Sequence, residues 1–394
     1  MATAIREVEL SLPLEDIAGI GGCQRCMLVF RWRGVVVGRA FIRVEGGVLS
    51  RAEVAHSAAQ NLTPAATRVW LEDLLQFDER GVPAEPVPSA AVAICTRERP
   101  EDLMRTLAAV CALHHRPAEI IVVDNAPATA GTRDVVARFP AARYVVEPGQ
   151  GLNRARNRAL REATADVVAF TDDDAAPETA WLGALLLNFR DPRVTGVTGL
   201  TLPAELQTPA QELFEEHCSF VRGFARRVFD GRVDHPLGVS KIGAGANMAV
   251  RRAAAQSIGW FDERLDAGTP TRSGGDHEFF TRVLAAGHRI VYEPRAVSWH
   301  RHRRTLDELL DVVRGYGTGV YAMWTGRLLE SRDLGVLRLA WRWFVWDHWP
   351  VLRSPRRLMT DGDPRDRLRR AEFKGCLAGP AAWVKSAWTR HSVA

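Results

Sequence analysis

Lysine is almost absent from this chain, whereas arginine is abundant. Only three of the 52 basic residues are lysines, and 47 acidic residues leave a formal net charge of +5. A net charge this small indicates a phosphate-bearing or membrane partner only weakly. A coding bias for arginine is an alternative explanation, so the charge alone excludes no class of protein.

Cysteines are few and scattered. The six lie at positions 23, 26, 95, 111, 218 and 376, a spacing that does not form a disulfide framework. Cys23 and Cys26 form a single C-x-x-C, and the second Cys or His pair that a zinc knuckle requires does not lie nearby. We interpret all six as reduced thiols.

The sequence also has no long apolar run. No uncharged apolar stretch approaches the roughly 18 residues that span a bilayer, and Met1–Leu10 mixes charges with small residues, unlike a secretory signal. An apolar content of 46% and a charged content of 25% are ordinary for a globular protein. We therefore expect a cytoplasmic protein whose 394 residues form two or three domains.

A proline-rich segment divides the chain. Residues 1–80 hold strand-like stretches and then a helical one from about Ser50 to Gln76, which predicts a small N-terminal α+β domain of unknown role. Residues 81–89 contain three prolines and are predicted to be a linker. Residues 90–305 alternate short apolar strands with helices, which predicts an α/β domain with a mainly parallel sheet. Residues 306–394 are predicted to be helical, basic and rich in Trp, with an interruption of the first helix at Gly315–Gly317.

Polar residues follow three of the predicted strands, as Thr96-Arg97, Asp124-Asn125 and Asp172-Asp173-Asp174. Ligands of parallel sheets bind beyond the carboxyl ends of the strands. Adjacent carboxylates repel one another unless a cation relieves them, and Mg²⁺ or Mn²⁺ favours a few carboxylates together with substrate phosphates. The pattern favours a metal–phosphate site, and the alternative is that one Asp caps a following helix.

The order of the motifs resembles the inverting family 2 glycosyltransferases, which are nucleotide-sugar enzymes of the GT-A fold. The resemblance runs from about Val92 to Arg304. It rests on eight segments in the family's order: 93–100 (AICTRERP), 121–125 (IVVDN), 151–157 (GLNRARN), 169–174 (AFTDDD), 243–252 (GAGANMAVRR), 261–263 (FDE), 275–278 (GDHE) and 299–300 (WH). It implies a GT-A-type nucleotide-diphospho-sugar transferase sheet and a hexosyltransferase-like enzyme.

The resemblance also implies a donor site. Thr96 and Arg97 would line the nucleotide pocket, and Asp124 would accept hydrogen bonds from the base or ribose, with a turn-forming role as its alternative. Arg154 begins a helix that also carries Arg158 and Arg161 on one face, and it would meet the diphosphate.

The implied metal is Mn²⁺ or Mg²⁺. Asp172 and Asp173 would face the nucleotide sugar, Asp172 through the ribose or a metal-bound water, whereas Asp174 and His300 would bind the metal. Imidazole favours Mn²⁺. His302 shares a strand face with His300 and is an alternative ligand, although we expect a surface role for it.

For the transfer step the resemblance implies Asp276 as the general base, while the metal stabilises the departing diphosphate. Gly275 stands where the family usually has Glu, and helix N-capping is the alternative role of Asp276. The acceptor side would include a glycine loop with Gly243 and Gly245, together with Glu278 and Asn247; turn formation is an equal alternative for Asn247.

The implied partners are a nucleotide-diphosphate sugar, expected to be a UDP-sugar, and an acceptor that is a sugar, a lipid-linked glycan or a small-molecule hydroxyl. Residues 320–394 carry seven of the twelve Trp and a net charge of +7, from 14 basic and seven acidic residues, which leaves residues 1–319 at −2. The basic, Trp-rich tail is either a membrane interface or a subdomain that packs on the core. Nucleic acid is not expected. A catalytically inactive scaffold of the same fold and a nucleotidyltransferase remain the alternatives.

Overall fold

A computed structural model describes residues 2–75, 87–349, 353 and 363–391. These residues form a three-stranded N-terminal sheet, a nine-stranded central sheet and a helical C-terminal region. Part of the predicted linker, residues 81–86, lies outside the described residues, and the division into domains stays a prediction. None of the described helices combines the length and apolarity that a membrane span requires.

The N-terminal unit is a small sheet covered by two helices. Its elements are β1 (Thr3–Glu9), β2 (Arg25–Trp32), β3 (Val35–Arg43), α1 (Arg51–Asn61) and α2 (Pro64–Leu74). The single helical stretch predicted from Ser50 to Gln76 is two helices, because Pro64 begins α2 at a position where its missing N–H is tolerated.

Both faces of the N-terminal sheet are buried, because successive residues of a strand point to opposite sides. Leu28 and Phe30 point into the unit's own core, whereas Met27 and Val29 pack on Leu200 and neighbouring residues of the central sheet. The N-terminal unit is therefore joined to the rest of the chain by an apolar interface.

The central sheet has the order β10-β12-β9-β11-β7-β4-β5-β6, with β8 paired to β12. Neighbours from β7 to β6 are parallel, as are β9 and β12, and the other pairings are antiparallel. The strands are β4 (Ala90–Thr96), β5 (Glu119–Asn125), β6 (Ala142–Glu147), β7 (Val167–Asp172), β8 (Ala175–Pro177), β9 (Val194–Pro203), β10 (Arg227–Asp230), β11 (Asn247–Arg251) and β12 (Arg289–His300).

Helices cover both faces of this sheet, which confirms the predicted α/β architecture. In β4, Val92 and Ile94 pack against Leu103 on one face, whereas Ala91 and Ala93 pack against the other layer of helices. The helices are α3 (Pro100–Cys111), α4 (Gly131–Val136), α5 (Leu152–Glu162), α6 (Trp181–Leu187), α7 (Pro209–His217), α8 (Arg252–Ile258) and α9 (Gly275–Ala285).

The C-terminal region consists of α10 (Leu306–Ser331), α11 (Gly335–Trp343), a π-helical turn (Phe344–His348) and α12 (Pro364–His391). The predicted interruption at Gly315–Gly317 is wrong, since α10 continues through it. The physical reason is packing: a β carbon at Gly317 would lie within 3.0 Å of the Glu372 backbone of α12, and one at Gly375 within 3.0 Å of the Arg314 backbone of α10. The glycines allow the two helices to approach backbone to backbone.

Candidate active site

Three of the predicted polar residues meet at the carboxyl end of the sheet. Asp172 ends β7, and β8 pairs with the end of β12 so that Ala175 lies opposite His300. This pairing places Asp174 beside His300, whose Nε2 atom is 3.1 Å from Oδ1 of Asp174. One ligand atom from each of Asp172, Asp174 and His300 lies within 4.8 Å of the others. Two carboxylates and an imidazole fit Mn²⁺, and the helix-cap alternative is wrong because a short strand follows Asp174.

The pKa values of the two carboxyl groups in this cluster are shifted in opposite directions. Burial and the neighbouring charge of Asp174 raise the pKa of Asp172. Burial alone would also raise the pKa of Asp174, but His300, Arg99 and Arg303 outweigh it and lower that pKa. The carboxylates of this cluster could therefore hold a cation, and in this structure Asp174 pairs with guanidinium and imidazole groups.

Asp173 is not part of the three-residue cluster. Its Oδ2 atom accepts a hydrogen bond of 2.7 Å from the Thr96 hydroxyl, and burial raises its pKa to about 6. Arg99 donates to Asp173 at 3.1 Å and to Asp174 at 2.8 Å, whereas Arg97 is exposed at the end of β4. Sequence reasoning selected Arg97 and missed Arg99, since only the course of the turn decides which arginine faces the carboxylates.

The predicted nucleotide residues lie at the ends of β5 and β6. Asp124 is fully buried; Tyr144 donates a 2.8 Å hydrogen bond to its Oδ2 atom, and no described residue donates one of normal geometry to Oδ1. Burial raises the pKa of Asp124, which the Tyr144 hydroxyl partly offsets. Asn125 holds the next loop through Gly149 O and Gly151 N, at 2.7 and 2.9 Å. Asp124 is thus a buried carboxylate whose Oδ1 atom has no donor of normal geometry among the described residues.

Arg154 and Arg156 occupy different surroundings although they lie on the same helix. Arg154 is one-third exposed, lies against Gly149 and is 3.8 Å from Glu263. Arg156 is 4% exposed, and its Nη1 atom is 2.7 Å from Oδ2 of Asp266. Sequence reasoning selected Arg154 and missed Arg156, the buried cation at the centre of the site.

Asp276 lies near Arg156, since both side chains approach Gly245. It is the second residue of α9, so the N-cap alternative is wrong: Gly274 occupies that position. The Oδ2 atom of Asp276 accepts a 2.8 Å hydrogen bond from Gly245 N. Burial opposes ionisation of Asp276, but His277, Arg156 and the two backbone N–H groups lower its pKa, which keeps the carboxylate charged at neutral pH.

Arg156 interacts with carboxylates in both parts of the site, namely Asp172 of the three-residue cluster and Asp276. Its pKa is raised because the charges of Asp266, Asp172 and Asp276 outweigh its burial. Gly275 is required at this point, since a β carbon there would lie within 3.0 Å of both Asn153 and Asp266. The space beside position 275 is therefore filled by the Asp266 carboxylate.

Two residues predicted for the acceptor side are held inside the fold. Asn247 is fully buried; its side chain accepts from Trp181 Nε1 at 2.7 Å and donates to backbone oxygens of Leu200 and Ala296. Glu278 is buried and forms an ion pair of 2.7 Å with Arg282. Gly245 is the member of this set that contacts Asp276.

His302 is buried rather than on the surface, so that expectation is wrong. It is 3% exposed, stacks on Phe214 with ring centroids 4.1 Å apart, and lies 2.8 Å from Glu215. It lies behind His300 and outside the three-residue cluster. Glu215 is 87 positions earlier in the chain and gave no signal in the sequence.

Taken together, a cluster that could hold a cation and an ionised carboxylate both interact with one buried arginine, Arg156. The arrangement suits a reaction in which a metal-bound phosphate group leaves on one side while a proton is removed on the other.

Part of the chain is similar in sequence to known proteins. The model of glycosyl transferase family 2 matches residues 91–259. The chain is 31% identical over 205 residues to a pre-mycofactocin glycosyltransferase of Mycobacterium tuberculosis, which covers 51% of this chain and 41% of that protein. It is 28% identical over 214 residues to the succinoglycan biosynthesis protein ExoM of Rhizobium meliloti, which covers 52% of this chain and 64% of that protein.

Among solved structures, the mannosyltransferase PcManGT of Pyrobaculum calidifontis, in complex with GDP-Man and Mn²⁺, superposes with a TM-score of 0.47 and 19% identity. The match covers 85% of this chain and 83% of that one. The chain spans between two-fifths and two-thirds of the two relatives named above. The match to glycosyl transferase family 2 thus covers residues 91–259, the part of the chain that contains Asp124, Arg156 and Asp172–Asp174.

Proposed function

We propose that this protein is an inverting glycosyltransferase, which moves a sugar from a nucleotide diphosphate to an acceptor hydroxyl. The observation that carries the proposal is that one buried cation, Arg156, interacts both with the ionised Asp276 and with Asp172 of the Asp172, Asp174 and His300 cluster. In a single displacement, one carboxylate takes the acceptor proton while the leaving diphosphate departs on the opposite side. A metal bound by Asp174 and His300 would stabilise the negative charge of that diphosphate.

The donor site in this proposal uses residues at the strand ends. Asp124 accepts a hydrogen bond from the base or ribose through Oδ1, which has no donor of normal geometry among the described residues, and we propose uracil as the base. Arg154, partly exposed beside Gly149, lies against the diphosphate. Arg99 keeps Asp173 and Asp174 in place, and Thr96 contributes through its hydrogen bond to Asp173.

Asp276 serves as the base because its surroundings fix both its position and its charge. The Gly245 N–H orients one oxygen. The lowered pKa leaves the carboxylate unprotonated, so that it can receive the proton as the acceptor oxygen attacks. The positive charge of the neighbouring Arg156 attracts both Asp276 and Asp172. It therefore reduces the electrostatic cost of placing these two carboxylates in one buried site.

We further propose that the protein works at a membrane surface, with a lipid-linked acceptor. The tail's Trp residues differ in burial: Trp383 is buried, Trp324 and Trp343 are half-buried, and the others are exposed, most of them on α11 and the turn that follows it. The exposed apolar side chains are Leu334, Leu337, Trp341, Trp346 and Trp349. The exposed Arg338 and Arg342 accompany them, which suits an anionic lipid surface.

The proposal is tested with a panel of UDP-, GDP- and dTDP-sugars, with and without Mn²⁺, by measuring release of the nucleoside diphosphate. We expect Mn²⁺-dependent release from a UDP-sugar, and Asp276→Asn should lower kcat by about 10²–10⁴-fold. Asp16→Asn, an exposed site in the N-terminal unit, is the matched control. The anomeric configuration of the product, read by NMR, should be inverted.

Three results would contradict the proposal. Retention of configuration excludes the single displacement. Release of pyrophosphate instead of a nucleoside diphosphate identifies a nucleotidyltransferase. A folded protein without turnover on any donor supports a binding or scaffold role.

A further inference from the structure

The N-terminal unit reaches the metal cluster through buried polar side chains. Arg39 of β3 forms an ion pair with Glu215 of α7, and Glu215 is 2% exposed. The other carboxylate oxygen of Glu215 lies 2.8 Å from Nε2 of His302. Nδ1 of His302 lies 3.2 Å from Nδ1 of His300, and Nε2 of His300 faces Asp174. A continuous chain of contacts therefore runs from Arg39 to the cluster.

The direction of the hydrogen bonds in this chain follows from its charged end. Glu215 is ionised beside Arg39, so it can only accept, and Nε2 of His302 must donate to it. The other nitrogen of a neutral His302 is then an acceptor. It accepts from Nδ1–H of His300, which leaves a lone pair on Nε2 of His300, on the side of Asp174 and Asp172.

The rings are also fixed by packing. Phe214 stacks on His302 at 4.1 Å between centroids, and Phe220 meets His300 edge to face at 5.2 Å. The partner of a metal-binding histidine fixes its tautomer and ring orientation in many proteins, and loss of that partner typically weakens metal binding about 10–100-fold.

We propose that Arg39, Glu215 and His302 are positioning residues that hold His300 in the tautomer able to bind the metal, so that the N-terminal unit completes the metal site. This inference rests on the metal assistance in the proposed function. It gives the N-terminal unit a role that its sequence did not reveal.

The test measures binding of Mn²⁺ alone by isothermal titration calorimetry and by the EPR signal of free Mn²⁺. In Glu215→Gln, the amide can donate to His302, which would reverse the hydrogen bonds and place a proton on Nε2 of His300. We expect an affinity about 10–100-fold lower than in the wild type. Arg39→Met should weaken binding in the same direction, and Arg39→Lys, which keeps the charge, should restore most of it.

The matched control is Glu72→Gln. Glu72 of α2 forms an ion pair of 2.8 Å with Arg295, which lies five positions before His300. This pair also joins the N-terminal unit to β12. This variant should lose stability without losing Mn²⁺ affinity. Thermal unfolding of every variant separates a loss of folding from a loss of metal binding.

The outcomes distinguish the two proposals. If the wild type binds Mn²⁺ and Asp174→Asn does not, while Glu215→Gln and Arg39→Met bind as the wild type does, the positioning role is wrong and the metal site stands. If the wild type itself does not bind Mn²⁺, metal assistance fails, and the positioning role fails with it.

Discussion

The guanidinium of Arg156 and the carboxylate of Asp266 form a buried ion pair, with 2.7 Å between Nη1 and Oδ2. The charges of Asp172 and Asp276 also act on Arg156. Asp266 has a positive φ of 83°, an uncommon conformation for a residue other than glycine. The loop before α9 is thus held in a specific form by this pair.

Replacing Arg156 should therefore affect both folding and catalysis. Arg156→Met leaves Asp266 buried without its partner, and the free energy of unfolding should fall by about 3–5 kcal/mol. Urea unfolding measures this loss, and kcat should fall as well because Asp276 loses a neighbouring positive charge. The double variant Arg156→Met/Asp266→Asn should recover part of the stability but not the activity.

Arg158→Met is the control for this prediction. Arg158 lies two positions further along α5, is 39% exposed and pairs with Glu162 at 2.9 Å. An exposed pair of this kind contributes about 0–1 kcal/mol. A loss in Arg158→Met as large as that in Arg156→Met would contradict the assignment of Arg156 as the buried cation of the site.

Gly275→Ala should damage the site although it adds a single methyl group. The new β carbon would displace Asn153 and Asp266, which hold Arg156. We expect a destabilisation of about 1–3 kcal/mol and a lower kcat. Gly183→Ala in α6 is the control, since the nearest atom to its β carbon is 3.7 Å away and alanine favours a helix. Wild-type kinetics of Gly275→Ala would refute the steric argument.

Glu372 of α12 should make stability depend on pH. Burial and the neighbouring Asp347 raise its pKa to about 7, against the attraction of Arg369. His217 lies 3.9 Å away, and burial lowers its pKa, so it adds little positive charge above pH 6.5. Because the folded state holds the Glu372 proton more tightly than the unfolded state, the unfolding free energy falls as pH rises from about 4.5 to about 7.

The expected loss across that interval is on the order of 3 kcal/mol. Urea unfolding at pH 5.5 and pH 8 should detect about 2 kcal/mol of this loss, and Glu372→Gln should be more stable than the wild type at pH 8 and much less sensitive to pH. Parallel pH profiles of the two proteins would show that Glu372 titrates normally.

The exposed Trp side chains of the C-terminal region should control vesicle binding. Trp341 and Trp346 are 66% and 76% exposed, and their combined replacement by Ser should weaken binding to vesicles containing phosphatidylglycerol about tenfold or more. Co-sedimentation measures the change. Trp70→Ser, at an exposed tryptophan of α2, is the control, and no binding of the wild type to anionic vesicles would exclude the membrane proposal.

The strands and the Asp cluster at the end of β7 could be predicted because their signals are local, whereas His300 was named only through the family resemblance. The apolar run Ala90–Cys95 differs from the observed β4 by one residue, and the end of β7 falls at Asp172. The same reasoning could not choose between Arg154 and Arg156, because that choice depends on which side of α5 faces Asp266, 110 positions away. The burial of His302 similarly depends on Glu215 and Phe214, which only the tertiary structure brings to it.

The close packing of the α10 glycines could not be predicted from sequence patterns either. Gly315 and Gly317 predicted a break because glycine disfavours helices in isolation. In the folded chain, α10 packs against α12 at Gly317, and Gly319 lies against Ser273 in the loop before Asp276. Tertiary packing thus outweighs the intrinsic preference.

This packing also restricts insertions and deletions within α10. A single inserted residue would rotate the following part of the helix by about 100°, because an α-helix has 3.6 residues per turn. Larger side chains would then face Ser273 and the backbone of α12 where glycines now stand. Homologous proteins of this architecture should therefore tolerate insertions and deletions beyond Ser331 more readily than between Gly315 and Gly326. The same spacing of glycines along the corresponding helix should identify such homologues.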